Sequence, residues 1–586
     1  MNNKFKGETV NKVLMSVTLS FLILGGLADA KNEDTFEKLL EKKKIEEALL
    51  KVKHISKVGL LGVSNLGTQL VKKMKHMGKE RIEVLIALKE NNIAIEKIGS
   101  VMHVHVDESG NETIKINGQI QTIEELEIVN AKNLSRKKKA KKLRKLETKK
   151  SLKLFSDSYS FLGKRELEYL TLNNKSTFKI GLSKDEIIKL SKNKDLILGI
   201  ELPSNPKDAL FSAMLSTNIT PFASYGNRGN GINIYMSEGN CPNPGFITDY
   251  TRLSGITANH PENVSGIIRG VSLEAFLYCR AGYTLPDPSD PSVEIQSHSW
   301  ENVDKANDYR INDRDFDNYV FNNNDLIFVA AGNAGNDDIN VSSPGKALNV
   351  ITVGNYNDAN DIINNSSGYG NPQTKNQKPE LVAPGTNITA GGHVNYTGTS
   401  MSTPHAAAFA ADFMSNHSSW AKDKPHLLKA IMLAGATKSI TGGSDKVGVG
   451  GIDFLSTYKD GNYAEISNYN FSYIASRDGG SISNAIELKF NVVNTGDNYR
   501  VAISWLNSGD YTYSHRNEPH PIGKDFDLAV YDPSGNYICG SASADNPYEY
   551  CDFTSAVIGN YTVRVIQYAN RDTANTMSLG VSFNRH

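Results

Sequence analysis

The chain has 586 residues, of which 39% are hydrophobic and 22% charged. That is room for several domains with substantial cores, and it excludes a wholly disordered or fibrous chain. The formal charge is zero, but about 39 of the 64 basic residues and about 24 of the 64 acidic ones lie in the first 200 positions. The remainder is therefore acidic by roughly 15 charges, which argues against nucleic acid as its partner.

At the N-terminus Lys4, Lys6 and Lys12 precede an apolar run over 13–27, and Ala28-Asp29-Ala30 offers a small-x-small cleavage pattern. The run falls short of the ~18–20 residues a membrane span needs. No cysteine stands directly after it, which argues against a lipoprotein anchor, and no later segment is long and apolar enough to span. Residues 1–30 read as a signal peptide and the product as secreted to the extracellular space, free of the membrane once the signal is removed. The cysteines are Cys241, Cys279, Cys539 and Cys551, and no Cys-x-x-Cys occurs, so a zinc ribbon or thioredoxin motif is excluded. An even number in an exported chain suggests disulfides with three possible pairings. Proximity in sequence favours Cys539–Cys551 and leaves Cys241–Cys279.

Residues 31–205 are Lys-rich and hold one basic run, Arg136-Lys137-Lys138-Lys139-Ala140-Lys141-Lys142, read as a solvated or protease-sensitive loop. His103 and His105 alternate on a strand, with too few ligands nearby for a metal. Ser183-Lys184-Asp185-Glu186 is a capping box opening a helix with Ile187, Ile188 and Leu190 on its apolar side, and a strand follows over 196–201.

Further on, Gly231 to Gly239 reads as a strand running into a glycine turn, with Glu238 at its end. Asn259-His260-Pro261-Glu262 opens a helix whose inward stripe is Val264, Ile267 and Ile268. Residues 293–301 alternate like a strand. The apolar run 326–331, ending in Gly332-Asn333-Ala334-Gly335-Asn336, suits a strand buried on both faces of a parallel sheet. Another buried strand is expected over 349–354. Then comes Gly398-Thr399-Ser400-Met401-Ser402-Thr403-Pro404-His405, where a glycine turn delivers Ser400 into the first turn of an apolar helix. The positive end of a buried helix favours the negative charge that develops when a serine attacks a carbonyl.

That last stretch resembles the nucleophile box of the subtilisin-like serine proteases (subtilases), and the other segments are similar to the remaining boxes in the same order. The first catalytic box is a glycine-led apolar strand ending in Asp; here the acid falls on Glu238, one methylene longer, with Asp249 as the fallback. The histidine box keeps His260, Val264 and Gly266 and loses its other usual residues. Residues 293–301 resemble the edge strand that pairs with substrate and walls the S1 pocket. This makes Ser299, Trp300, Glu301 and the facing Gly332 substrate-binding candidates. Glu301 stands where a glycine is usual and is expected to favour Lys or Arg at P1. Ala330-Ala331-Gly332-Asn333 matches the oxyanion box, with Asn333 as amide donor, and Lys378 to Gly385 matches a further box. The resemblance runs from about residue 178 to the end and is sharpest over 324–414.

The resemblance implies a doubly wound, mostly parallel α/β catalytic domain at 206–462. An α+β propeptide at 31–205 precedes it, with residues 81–88 as first strand and the 178–201 unit as closing half. From about residue 467 period-two alternation takes over, and an all-β sandwich resembling the jelly-roll of larger subtilases is expected at 463–586. The implied activity is that of a secreted serine endopeptidase. His260 takes the Ser400 proton, Glu238 orients the imidazole, and Asn333 binds the oxyanion of the intermediate leading to an acyl-enzyme. The propeptide would act as intramolecular chaperone and inhibitor and be removed by a cut between 203 and 210. The order acid–His–Ser separates this arrangement from the trypsin-like and α/β-hydrolase orders. His405 is assigned to packing. No cofactor is required; Asp525, Asp527 and Asp532 could ligate a structural calcium, although strand-end carboxylates are more often solvated. The alternative is a catalytically impaired subtilase fold that binds peptides or surfaces.

Overall fold

The computed structural model describes residues 66, 68–74, 76–78, 80–89, 100–106, 112–159, 177–202, 206–208, 228–244, 247, 249–302, 307–335, 341–370, 372–453, 456–457, 461–467, 485–573 and 577–586. The expected signal peptide, and residues 203–205 and 209–210 around the expected cut, lie outside them.

The N-terminal third supplies β1 (Arg81–Leu88), β2 (Ser100–Val106), β3 (Glu112–Ile116), β4 (Gln119–Ile120), α1 (Ile123–Ser158), β5 (Thr177–Ser183), α2 (Lys184–Ser191), β6 (Ile197–Glu201) and β7 (Pro206–Asp208). β1 lies antiparallel between β5 and β6, closing a small sheet across nearly 100 residues of sequence. Val84, Ile86 and Leu88 alternate inward onto Phe178, Ile180, Leu182, Ile187 and Leu190, as period-two and period-3.6 patterns require. The capping box is formed: Glu186 N–H donates to Ser183 Oγ at 3.4 Å and Ser183 N–H to Glu186 Oε2 at 2.8 Å. The basic run is a correction, since it lies within α1 rather than in a loop. A second capping box, Thr122 with Glu125, starts that helix. Its 36 residues contain no glycine or proline, and Lys, Arg, Glu and Leu carry little helix penalty.

The middle of the chain builds β8 (Asn233–Glu238), β9 (Tyr250–Arg252), α3 (Asn259–Val271), β10 (Phe276–Ala281), β11 (Ile295–His298), β12 (Trp300–Asn302), α4 (Ile311–Asn323), β13 (Leu326–Ala330), β14 (Ile351–Asn357), β15 (Ile362–Ile363), β16 (Leu381–Pro384), β17 (Ile388–Ala390), β18 (His393–Tyr396), α5 (Thr399–Asn416) and α6 (Pro425–Gly435). Among the described residues one sheet runs β15-β14-β13-β11-β8-β10-β9, with β16 also on β14, and every pair is parallel except β14–β15. Both faces are covered. Leu326 and Phe328 of β13 share a core with α3 and α5, while Ile327 and Val329 pack with Phe316 and Val320 of α4. This is why β13 is apolar at every position.

α5 runs through the core with nearly all its side chains buried, Asp412 among them. Burial pushes the Asp412 carboxyl up to about 7. The folded chain then keeps a proton that the unfolded chain has lost. The associated stability is full below pH ~4 and is lost as pH rises through 7. Asp412→Asn is therefore expected to be more stable than wild type at pH 8, by about 1–4 kcal/mol, and no more stable near pH 4. Thermal denaturation across that range is the measurement; a difference that does not vary with pH rejects the account.

The last third gives β19 (Gly461–Ser467), β20 (Ile486–Val492), β21 (Asn498–Trp505), β22 (Lys524–Tyr531), β23 (Tyr537–Ser541), β24 (Tyr548–Thr554), β25 (Gly559–Asn570) and β26 (Ser578–Arg585). They form two antiparallel sheets, β20-β25-β22-β23 and β24-β21-β26-β19, whose inward residues Phe490, Phe526, Val563, Ile503 and Phe583 share one core. The second sheet does not stop at β19. It continues β2-β3-β4, so strands from residues 100–120 complete a sheet built otherwise from residues beyond 460. Residues 100–120, within the stretch 31–205 expected as a propeptide, thus share a sheet with residues beyond 460.

Candidate active site

β8 ends on Glu238, which is fully buried between the flanking strands β10 and β11. Three residues later Cys241 is disulfide-bonded to Cys279 of β10, with Cα atoms 5.9 Å apart. The turn that follows the acid is thereby tied to the neighbouring strand. Cys539 and Cys551 form the other disulfide, so no cysteine is free among the described residues.

His260 lies in the first turn of α3 and is 4% exposed. Its Nδ1 is 3.0 Å from Glu238 Oε2. Asp249, the fallback acid, sits in a turn with φ 50° before β9. Its carbonyl accepts hydrogen bonds from Leu277 N–H and Arg269 Nη2, both at 2.9 Å. The carboxylate against the imidazole is Glu238's. α3 is also fastened from outside: His393 of β18 pairs with Glu262 at 2.8 Å, and Asn263 Nδ2 donates to Ala390 O at 3.1 Å. A Cβ on Gly266 would come within 2.3 Å of Gly391 N, so only glycine permits the β17–β18 hairpin to approach this helix so closely.

Ser400 is the second residue of α5 and is buried. Its hydroxyl donates to the Ser299 carbonyl at 3.0 Å. α3 and α5 pack against each other, so His260 and Ser400 each occupy the first turn of one of two adjoining helices. Pro404 lies inside α5 rather than at its very start. Lacking an N–H, it leaves the Ser400 carbonyl without its helical donor.

Asn333 stands opposite the start of α5. Its Oδ1 accepts from Thr399 N–H at 2.8 Å and from Thr399 Oγ1 at 3.2 Å, and Thr399 Oγ1 in turn accepts from Gly332 N–H at 3.1 Å. With Oδ1 occupied, the amide orientation is set. Among the described residues nothing accepts from Asn333 Nδ2, which is buried. Thr399 was not singled out from sequence; its place inside the nucleophile box was the available signal.

Glu301, on β12, directs its carboxylate at the same loop. Oε1 accepts from Asn333 N–H at 3.3 Å and Oε2 from Ser342 Oγ at 3.2 Å. Gly332, at φ 98°, leaves room for it, since a Cβ there would stand 2.5 Å from Glu301 Oε2. The Trp300 indole packs into the core with Tyr283 and Phe316. Its backbone belongs to β12 and pairs with Asp208 of β7. The edge of β12 is occupied by the chain's own β7, antiparallel, with Lys207 across from Glu301 and Asp208 across from Trp300.

Other titratable groups have structural surroundings. His405 is fully buried, with Nδ1 2.8 Å from the Met401 carbonyl, and burial pulls it down to about 4. His105 pairs with Asn462 across a strand at 2.9 Å. Asp532 caps its own turn through Ser534 N–H and Asn536 N–H, while Asp525 and Asp527 are buried in β22. Among the described residues no group of three or more His, Cys, Asp or Glu is arranged to hold a metal ion. No described helix is long and apolar enough to cross a membrane.

Residues 255–454 match the model of the subtilase family, Peptidase_S8. The matched stretch contains His260, Asn333 and Ser400; Glu238 lies just upstream of it. Subtilisin-like protease 1 of Pseudogymnoascus destructans is 43% identical over 91 residues, 14% of this chain and 21% of that protein. Serine protease AprX of Bacillus subtilis is 33% identical over 110 residues, 15% of this chain and 25% of that protein. The chain thus spans about a quarter or less of the length of these relatives. Among solved structures, the prenylagaramide maturation protease PagA aligns over 42% of this chain and 98% of its own, with 21% identity and a TM-score of 0.36.

Proposed function

We propose that this chain is a secreted serine endopeptidase that hydrolyses peptide bonds through an acyl-enzyme. The observation that carries the reading is the buried Glu238–His260 pair, 3.0 Å apart, on a helix packed against the one that begins at Ser400. A carboxylate at Nδ1 holds the imidazole with Nε2 as the acceptor and stabilises the imidazolium that forms. Ser400 turns about χ1 from the Ser299 carbonyl toward His260, gives up its proton and attacks the substrate carbonyl. His260 then passes that proton to the leaving amine, and water repeats the sequence to release the acyl group. Groups of the chain, the substrate and water together carry every proton and charge in these steps, so the reading calls for no cofactor; a structural calcium near Asp525 or Asp527 would bear on stability alone. Fluorophosphonate labelling is the test. Wild type is expected to label at Ser400, and absence of any label rejects hydrolysis in favour of peptide binding.

The unpartnered Asn333 Nδ2 supports a role as oxyanion donor, because a buried N–H with no acceptor is unfavourable until one arrives. Asn333→Ala is expected to lower kcat by about 10²–10³ with little change in KM. A rise in KM at constant kcat would make Asn333 a ground-state contact instead.

Glu301 supports a preference for Lys or Arg at P1. Its carboxylate lies against Gly332, and Glu301 stands two residues after Ser299, whose carbonyl holds the nucleophile. A cationic side chain entering there meets charge of opposite sign. Glu301→Gln is expected to lose the Lys/Arg preference by about tenfold or more while keeping turnover of neutral P1 substrates. A peptide-library profile with a purely apolar P1 preference in wild type rejects it.

β7 lying on β12 supports an inhibitory N-terminal region that occupies the substrate's own place. Maturation would cut between 203 and 210. The two disulfides support an oxidising, extracellular destination.

A further inference from the structure

β19 is met on one side by β26 and on the other by β2. The β2 ladder runs antiparallel through six pairs, from Asn462 opposite His105 to Ser467 opposite Ser100. β3 and β4 then finish the sheet, so everything beyond β19 at that end comes from residues 100–120. The side chains follow the pleat. Met102, Val104 and Val106 are buried, and with Ile114 and Leu126 they belong to the main core that also contains Phe413, Trp420, Leu428 and Tyr463. Polar contacts bind the same segment to α5 and the turn after it. Glu112 pairs with His417, Asn130 Nδ2 donates to Ser419 O at 2.9 Å, and farther along α1 Arg144 donates to Asn323 at 3.0 Å.

We propose that this hairpin is a permanent strand partner of β19, so that a cut between residues 203 and 210 gives a protein of two chains that stay together. Loss of residues 100–126 would strip one edge of β19 of its main-chain partners and open the aromatic core around Trp420 to water, both unfavourable. None of these contacts is made by a residue between 203 and 210. The short β7–β12 ladder has three pairs, and it can open after the cut while the six-pair ladder holds. The N-terminal region then has two separable jobs: a tail that covers the cleft, and a hairpin that completes the C-terminal sheet. The position of the cut rests on the proposed maturation; the retention does not rest on catalysis.

The test uses the full chain with Ser400→Ala, a C-terminal affinity tag, and the recognition sequence of an unrelated site-specific protease replacing residues 203–205. After complete cutting, judged on a denaturing gel, both fragments are expected to elute together by size exclusion in 1 M NaCl and to separate only in guanidinium. Amides of residues 462–467 should exchange with deuterium as slowly in the cut protein as in the uncut one. Escape of the N-terminal fragment in native buffer overturns the proposal, and so does retention with β19 exchanging like a free edge. A Val104→Asp version of the same cut protein is expected to retain at least tenfold less N-terminal fragment; retention equal to that of the unsubstituted form assigns the hold to the β1-β5-β6 sheet and also overturns it. Because the cutting enzyme is foreign and Ser400 is replaced, an inert wild-type chain would leave these outcomes unaffected.

Discussion

Replacing Ser400 with alanine is expected to lower kcat by about 10⁶-fold, a scale measured for the triad of a subtilisin, where the serine and histidine act as one unit. Ser400 is buried at the start of α5, where unsatisfied helix N–H groups and the macrodipole favour an anion. Removing one oxygen leaves that field intact and deletes the nucleophile alone. Folding should hardly change, since the hydroxyl's recorded bond is a single contact to Ser299. The proposed secretion and maturation offer a second readout, the N-terminus of the product. Wild type should begin within 203–210, while Ser400→Ala should begin directly after the signal peptide. Identical N-termini in the two proteins would mean that another protease makes the cut, and equal hydrolysis would remove Ser400 from the chemistry.

Glu238→Gln should cost about 10⁴ in kcat, because an amide at the same place no longer holds the imidazole in the required tautomer or supports its positive form. Glu238→Asp is the sharper variant. It restores the residue usual in the resembled box, yet the carboxylate would withdraw by roughly one bond, ~1.5 Å, from an imidazole now 3.0 Å away. Its turnover should fall well below wild type, and full activity in Glu238→Asp would show that the backbone adjusts freely to either acid. Asp249→Asn should leave kcat and KM unchanged, since its φ of 50° suits Asn as well as Asp and its hydrogen bonds from Leu277 and Arg269 are made to the carbonyl. Loss of activity there instead would return Asp249 to consideration as the acid. Wild type and the three variants can be compared on one substrate across pH.

Local order was readable because local forces produce it. Ser183 with Glu186 announces a helix start through backbone donors three residues apart, and the apolar run at 326–330 announces a strand buried on both sides. The long helix 123–158 was equally local, but its Thr122–Glu125 box was passed over in favour of its charge run, and charge says little about backbone conformation. The residue choices at 238, 260, 333 and 400 were legible as an ordered set of boxes. How far Glu238 reaches, or that Thr399 sets the orientation of the Asn333 amide, was not.

Taken alone, the sequence determined several helix starts and buried strands and the α/β character of the middle of the chain, and it favoured the cysteine pairing that formed, because periodicity, caps and proximity act along the chain itself. Only the tertiary structure decided that β2 would pair with β19 some 360 residues later, that β7 would lie on β12, and that Glu301 would rest against Gly332. A strand's pattern specifies which face is apolar but not which edge will meet it, and that choice is made by burial summed over the whole fold.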